Sequence, residues 1–330
     1  MPSSSGKIIV SVLRGGPSSE YDVSLQTGQT VLNSLPRDKY EPIDVFISKK
    51  GEWHVGGLAK HPGKIIESSD VIFNALHGEF GEDGGVQDIL DPYQVPYTGS
   101  GKVASALAMN KALTKNYLAR AGVKMPAHLI FKKAETVPLK AGRAVFQSFA
   151  PPYVVKPVNL GSSVGVYMVK TVGDLPEVLE NSFKTSPEVL VEEFIMGKEA
   201  TCGVIDDFRG EKIYPLLPIE IVPPKTNRFY DYNAKYLSND TEYRLPGNWG
   251  RKESEKIQEV AKLAHDLLGL RHYSRSDFIV SRHGVYFLEV NTLPGLTSHS
   301  LVPKSLEAIG CPLPVFLDHL LTLALSRRSH

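Results

Sequence analysis

Apolar and polar positions along this chain switch repeatedly between a strand-like and a helix-like period. Residues 7–13 (KIIVSVL) form a short apolar run ending at Gly15-Gly16, which predicts a buried strand and a tight turn. A helical pattern follows, with Val23, Leu25, Val31, Leu32 and Leu35 apolar. Residues 42–48 alternate like a strand, and 71–76 (VIFNAL) make another apolar run. Strands alternating with helices predict a mainly parallel sheet. This first unit ends near 98–101, and a single helix over about 102–121 opens the next. Strand-like runs at 152–157 and 165–170 flank a glycine-bearing turn at 161–165, and 172–182 reads as helix. The middle unit is thus small and mixed, a strand pair around a loop.

In the last unit, 188–195 and 202–206 read as strands. The stretch 223–249 is polar, rich in Asn, Asp, Tyr and Pro, and aperiodic, which reads as a functional loop or a disordered segment. Ile257, Val260, Ala261, Ala264, Leu267 and Leu268 then share one helical stripe. Strands at 276–280 and 285–290 flank a turn at His283-Gly284, and a very apolar helix over about 313–326 is expected to be buried or at an interface.

Composition narrows the function classes. At 330 residues the chain can hold two or three packed units. A net charge of +1 gives no global field for nucleic acid or an anionic membrane, so any anion must be held by a local site. Two distant cysteines, Cys202 and Cys311, make neither a disulfide scaffold nor a zinc site, and read as buried thiols in a reducing compartment. The polar N-terminus lacks the apolar core of a signal peptide, and no apolar run reaches the ~18 residues of a membrane span. A cytoplasmic protein without membrane or nucleic-acid partners is expected.

Four constellations could carry chemistry. Strand alternation puts Arg275 and Asp277 on one face, and Glu289 and Asn291 on one face. Pairing those strands gathers three oxygen donors and a guanidinium, which suits magnesium shared with phosphates; a surface hairpin with ordinary charges fits the same spacing. Lys156 with Gly161-Ser-Ser-Val-Gly165 could cradle phosphate through backbone N–H groups, or could be a plain hairpin turn. The loop 291–301 (NTLPGLTSHSL) leads into a helix that Ser300 is placed to cap. Glu20 and the segment 77–84 (HGEFGEDG) follow the first and third strand runs, where α/β proteins bind ligands. Gly99-Ser-Gly-Lys102 is not a P-loop, because Pro96 and Val103 stand where glycine and Ser/Thr are needed.

Taken in order, the segments 15–25, 77–87, 97–111, 156–165, 229–236 and 275–301 resemble the D-alanine–D-alanine ligases of the ATP-grasp superfamily, nearly from end to end. The resemblance implies an α/β and α+β architecture with the ATP-grasp fold. Its three domains would be a Rossmann-like parallel-sheet domain over 1–100, a central lid domain over 101–190 and a C-terminal domain over 191–330, with a mobile loop at about 223–249. It implies ATP-driven joining of two D-alanines through an acyl phosphate, for peptidoglycan precursor synthesis. A ligase with D-serine or D-lactate as second substrate is the alternative, and Tyr236 matches the dipeptide-forming pattern.

By this resemblance Asp277, Glu289 and Asn291 hold two magnesium ions, which manganese could replace, and a monovalent cation is a further expectation. Lys111, Lys156, Ser163, Glu192, Glu193, Phe194, Ile195 and Glu199 bind ATP. Glu20 holds the first ammonium group, His77 and Val23 lie near the first substrate, and Ser300 and Leu301 bind the second carboxylate. Arg275 and the Gly295 N–H stabilise the oxyanion. Lys235 and Tyr236 close over the site, with Tyr236 joined to Ser162 and Glu20. A homodimer is expected. Arg14, Tyr21, Asn110 and Ser276 depart from the family pattern, and Ser276 faces away from the donor set by alternation.

Overall fold

The computed structural model describes residues 6–161, 165–223 and 241–326, and its elements gather into three sheets. The first unit contains β1 (Ile8–Gly15), α1 (Tyr21–Ser34), β2 (Tyr40–Ile47), β3 (Trp53–Val55), β4 (Leu58–Ala59), α2 (Pro62–Glu67), β5 (Val71–Asn74) and α3 (Gly85–Leu90). Its strand order is β4-β3-β2-β1-β5, with β1 parallel to both β2 and β5. Val10, Val12 and Leu13 on β1 are all fully buried, as expected for a strand covered on both faces. The carboxyl ends of β1 and β5 therefore aim the loops beginning at Gly16 and Ala75 toward the rest of the molecule.

Two helices follow where one was expected. The run over 102–121 breaks into α4 (Lys102–Met109) and α5 (Lys111–Ala119). Asn110 leaves the helical region at φ −81°, ψ 99°, and its side-chain oxygen accepts from the Leu113 N–H. An asparagine oxygen competes well for such exposed helix-start donors, so the chain restarts there. The break lets the Lys111 N–H donate to Val158 O, which ties α5 to the middle sheet.

The middle sheet comprises β6 (His128–Lys132), β7 (Tyr153–Pro157), β8 (Tyr167–Val169) and β9 (Glu188–Glu193), with α6 (Pro138–Ser148) and α7 (Leu175–Ser182) packed on it. The order β6-β9-β7-β8 is antiparallel throughout. This corrects two expectations: the unit is four-stranded rather than a strand pair, and β9 belongs here rather than to the last unit. Its Val189, Leu190 and Val191 are fully buried, and pairing on both sides satisfies its backbone.

The last sheet contains β10 (Lys198–Phe208), β11 (Glu211–Pro215), β12 (Ile219–Val222), β13 (Glu242–Arg244), β14 (Tyr273–Ser281) and β15 (Gly284–Asn291). Its order is β13-β12-β10-β14-β15, with β11 also on β10. Helix α8 (Arg251–Leu267) covers it with Ile257, Val260, Ala261 and Ala264, the predicted stripe. Residues 242–244, expected within an aperiodic loop, pair with β12. The helices α9 (Leu301–Ala308) and α10 (Leu313–Ser326) end the described chain.

Helix α10 lies against the first sheet. Phe316, Leu317, Leu320 and Leu321 are fully buried with Val10, Val12 and Phe73 of that sheet and with Ile205 and Tyr273 of the last. Each such side chain contributes about 1.5–3 kcal/mol, so the core they share links both ends of the chain. Among the described residues no single helix is long and apolar enough to cross a membrane; α9 and α10 qualify only as a pair, bent by 107°. Cys202 and Cys311 are buried free thiols.

Candidate active site

The β14–β15 hairpin brings the oxygen donors together. Its register sets Arg275 opposite Asn291 and Asp277 opposite Glu289, with an irregularity just after Asp277. Asp277 is held on both oxygens. Oδ1 accepts from Thr201 Oγ1 at 2.6 Å and Arg275 Nε at 3.0 Å, and Oδ2 accepts from Arg275 Nη2 at 3.0 Å. Asn291 Nδ2 reaches Asp277 Oδ2 at 3.4 Å, and Lys111 Nζ lies 3.4 Å from Glu289 Oε2. Two carboxylates and an amide, all hard oxygen donors, fit magnesium. Among the described residues no group of three or more His, Cys, Asp or Glu assembles at metal-binding spacing; the set here reaches three through the amide of Asn291. Ser276 faces away as expected, buried opposite Val290 and Cys202.

Above this hairpin lies a cavity of about 620 Å³ between the middle and last sheets. Asp277, Glu289, Lys111, Lys156, Glu192, Glu193, Phe194, Ile195 and Glu199 are among the residues that line it. The size and mixed lining suit a nucleotide. Glu192 sits in its wall between two lysines: Lys115 Nζ lies 2.6 Å from Oε1 and Lys156 Nζ 2.7 Å from Oε2. Burial alone would raise the Glu192 carboxyl, but the fields of Lys115 and then Lys156 outweigh it and hold it at about 2. Burial lowers Lys115 below the usual lysine value despite Glu192, whereas at Lys156 the attraction of Glu192 and Glu289 exceeds burial and raises it. Glu193 turns back to the chain, accepting from the Ala127 N–H at 2.9 Å.

A small second recess shares Lys111 and Glu289 with the large cavity and adds Glu20, Glu82, Gly161 and Asn291. Glu20 is buried just before α1. Its carboxylate sits where a Cβ on Gly78 would come within 2.7 Å of Oε2 and one on Gly161 within 3.1 Å. Gly78 also has φ +65°, so both its space and its backbone favour glycine. His77 is buried, with Nε2 2.8 Å from Thr27 Oγ1 and Nδ1 3.9 Å from Glu82 Oε1. Glu82 accepts from the Gly78 N–H on Oε1 and from the Thr292 N–H, Thr292 Oγ1 and Leu293 N–H on Oε2. Burial opposes its ionisation, but His77 and the donating amides prevail and keep it below the usual carboxylate range.

Past Asn291 the loop reaches Gly295, where a Cβ would lie 2.8 Å from Ser300 Oγ and 4.0 Å from Thr27 Oγ1. Ser300 stands at the N-cap of α9 but makes no side-chain cap. Its Oγ instead accepts from the Thr297 N–H at 3.1 Å and meets Thr297 Oγ1 at 2.8 Å, because the loop folds back on itself. Leu301 is buried at the start of α9, and Val23 is buried on α1.

The structure thus gathers Glu20, Lys111, Lys156, Glu192, Asp277, Glu289 and Asn291 around two adjoining recesses, with His77 behind Glu82 rather than in the lining. Ser162, Ser163, Lys235 and Tyr236 lie outside the described residues. Four further residues were not singled out from sequence: Thr27, Glu82, Lys115 and Thr201. Two had a usable signal. Glu82 sits inside the segment 77–84, and Lys115 is four residues after Lys111, on the same helix face.

The chain is similar to known proteins along most of its length. Family models described as D-ala D-ala ligase N-terminus and C-terminus match residues 9–67 with 57–100, and 117–322. The D-alanine–D-alanine ligase of Geobacter sulfurreducens is 40% identical over 297 residues, covering 89% of this chain and 87% of the relative. A crystal structure of D-alanine–D-alanine ligase from Bacillus anthracis complexed with ATP superposes with a TM-score of 0.80 at 29% identity, covering 97% of this chain and 98% of that one. VanG D-Ala:D-Ser ligase from Enterococcus faecalis superposes with a TM-score of 0.83 at 29% identity, covering 96% and 99%.

Proposed function

This chain belongs to the D-alanine–D-alanine ligase family, and from that premise we propose that it uses ATP to join two D-alanines into D-alanyl-D-alanine for cell-wall precursor synthesis. The observation that carries the reading is the sharing of Lys111 and Glu289 between the large cavity and the small recess. A triphosphate in the first and an amino acid in the second would meet at those two side chains.

The reaction then follows from the residues. The carboxylate of the first D-alanine attacks the γ-phosphorus, ADP leaves, and an acyl phosphate forms. The amine of the second attacks the carbonyl carbon, loses a proton, and phosphate leaves. Both first-step reactants are anionic, so cations must offset their repulsion; Lys111 and Lys156 do so from the cavity wall. Glu20 holds the first ammonium group, with Gly78 and Gly161 keeping the space around it open. Arg275 and the Gly295 N–H steady the oxyanion, while Ser300 and Leu301 receive the second carboxylate. Two magnesium ions, or manganese, would be held by Asp277, Glu289 and Asn291, and would screen the phosphate charge when bound. Lys235, Tyr236, Ser162 and Ser163 keep the roles that the resemblance implies.

The three sheets support the reading of three working units, and we propose a second boundary after β9 rather than at 190, because β9 pairs within the middle sheet. Dimerisation, a cytoplasmic location and activation by a monovalent cation rest on the resemblance alone and belong to this proposal. D-serine or D-lactate as second substrate is not favoured, because the sequence relatives at 35–40% identity are D-alanine–D-alanine ligases, whereas the D-Ala:D-Ser ligase is 29% identical.

The test is to incubate purified protein with ATP, magnesium and D-alanine, following phosphate release and product mass. Parallel arms add D-serine or D-lactate. Phosphate release with D-alanine and a product of dipeptide mass is expected; no release with D-alanine would sink the reading.

A further inference from the structure

We propose that Lys115, which does not itself line the nucleotide cavity, is a positioning residue that leaves Lys156 its positive charge toward the cavity by neutralising Glu192 from behind. The inference rests on the nucleotide reading given above. Lys115 is fully buried, whereas Lys156 and Glu192 both reach the cavity lining. Glu192 spreads its carboxylate between them, Oε1 toward Lys115 and Oε2 toward Lys156.

A count of charge gives the reason. With Glu192 alone, Lys156 would form a neutral pair and present little net charge to a triphosphate. Lys111 is likewise set against Glu289, and Arg275 against Asp277. Among these seven side chains, four cations against three carboxylates, Lys115 supplies the one-charge surplus. At a buried site a unit charge acts strongly over a few ångströms, because little water screens it. The cost of burying an ammonium group also calls for a reason beyond filling space. Lys115 Nζ has no well-angled hydrogen bond, and burial pulls its proton affinity down, so its hold on Glu192 is chiefly Coulombic.

A role in packing alone and a role in charge predict different outcomes for charge-balanced variants. Counting Lys115, Lys156 and Glu192 together, the wild-type protein carries one positive charge, K115M none, E192Q two, and K115M/E192Q one. The affinity for the magnesium complex of β,γ-imido-ATP, measured by titration calorimetry without amino acid, should rise with that charge wherever two proteins share the same residue at 192. K115M should bind about tenfold or more weakly. The double variant should bind more tightly than K115M, and E192Q more tightly than the double variant. Raising salt should narrow the differences.

Thermal melts identify the folded variants. If K115M does not fold, the double variant is compared with E192Q, which it should bind more weakly than. Wild type that binds no nucleotide overturns the nucleotide reading itself. Wild type that binds while K115M binds equally well overturns the role of Lys115 alone, as does a double variant no better than K115M.

Discussion

Glu82 Oε2 accepts two hydrogen bonds from Thr292, one from its N–H and one from its hydroxyl, each at 3.1 Å and across 210 positions of sequence. Leu293 N–H adds a third and Gly78 N–H reaches the other oxygen. One buried carboxylate thus fixes the loop after β5 to the chain just beyond Asn291. Glu82→Gln keeps the shape but must set an amide N–H against at least one of these donors. The expected loss is about 2 kcal/mol of unfolding free energy, with lower turnover. Urea denaturation measures it, and an unchanged midpoint would contradict the assigned network.

Thr27 orients His77 through the 2.8 Å contact to Nε2. Thr27→Val removes that partner while keeping the side-chain shape. The KM for D-alanine should rise about fivefold, with nucleotide binding unchanged. Thr27→Ser should restore it, since the hydroxyl is retained. Initial-rate kinetics that leave KM untouched in Thr27→Val would remove Thr27 from the site.

Glu289 is the carboxylate common to both recesses and pairs with Lys111. Glu289→Gln should lower kcat by about two orders of magnitude or more, because an amide cannot replace the charge. Circular dichroism should stay native, since this residue is only partly buried. A nearly normal rate would refute the donor set.

Acid stability should depend on Glu192. Its folded value, about 2, lies below the ordinary 4.5, so its contribution is present above 4.5 and is lost as pH falls toward 2. Glu192→Gln should therefore flatten the decline of the urea midpoint between those pH values. Equal slopes for the two proteins would show that the carboxylate is not held by its lysines as described.

Sequence alone determined those features that depend on local period. Arg275 with Asp277, and Glu289 with Asn291, share faces because side chains alternate along a strand, and the turn at His283-Gly284 sets the two strands side by side. The stripe of α8 and the apolar α10 were equally legible, since burial along a helix repeats every 3.6 residues. The order of the six family-like segments carried the reaction class.

Tertiary structure decided whatever depends on partners far away in the chain. The break at Asn110 turns on a side-chain cap and a bond to Val158 that local periodicity does not encode. β9 has the same apolar run whichever sheet it joins, and only its pairing with β6 and β7 settles that. Ser300 has the chemistry of a cap, yet the folded-back loop spends its oxygen on Thr297. Glu82 with Thr292, and Lys115 with Glu192, are charged and polar residues of ordinary type until burial removes water from around them. Desolvation then makes each partner obligatory, and that condition exists only once the sheets have packed.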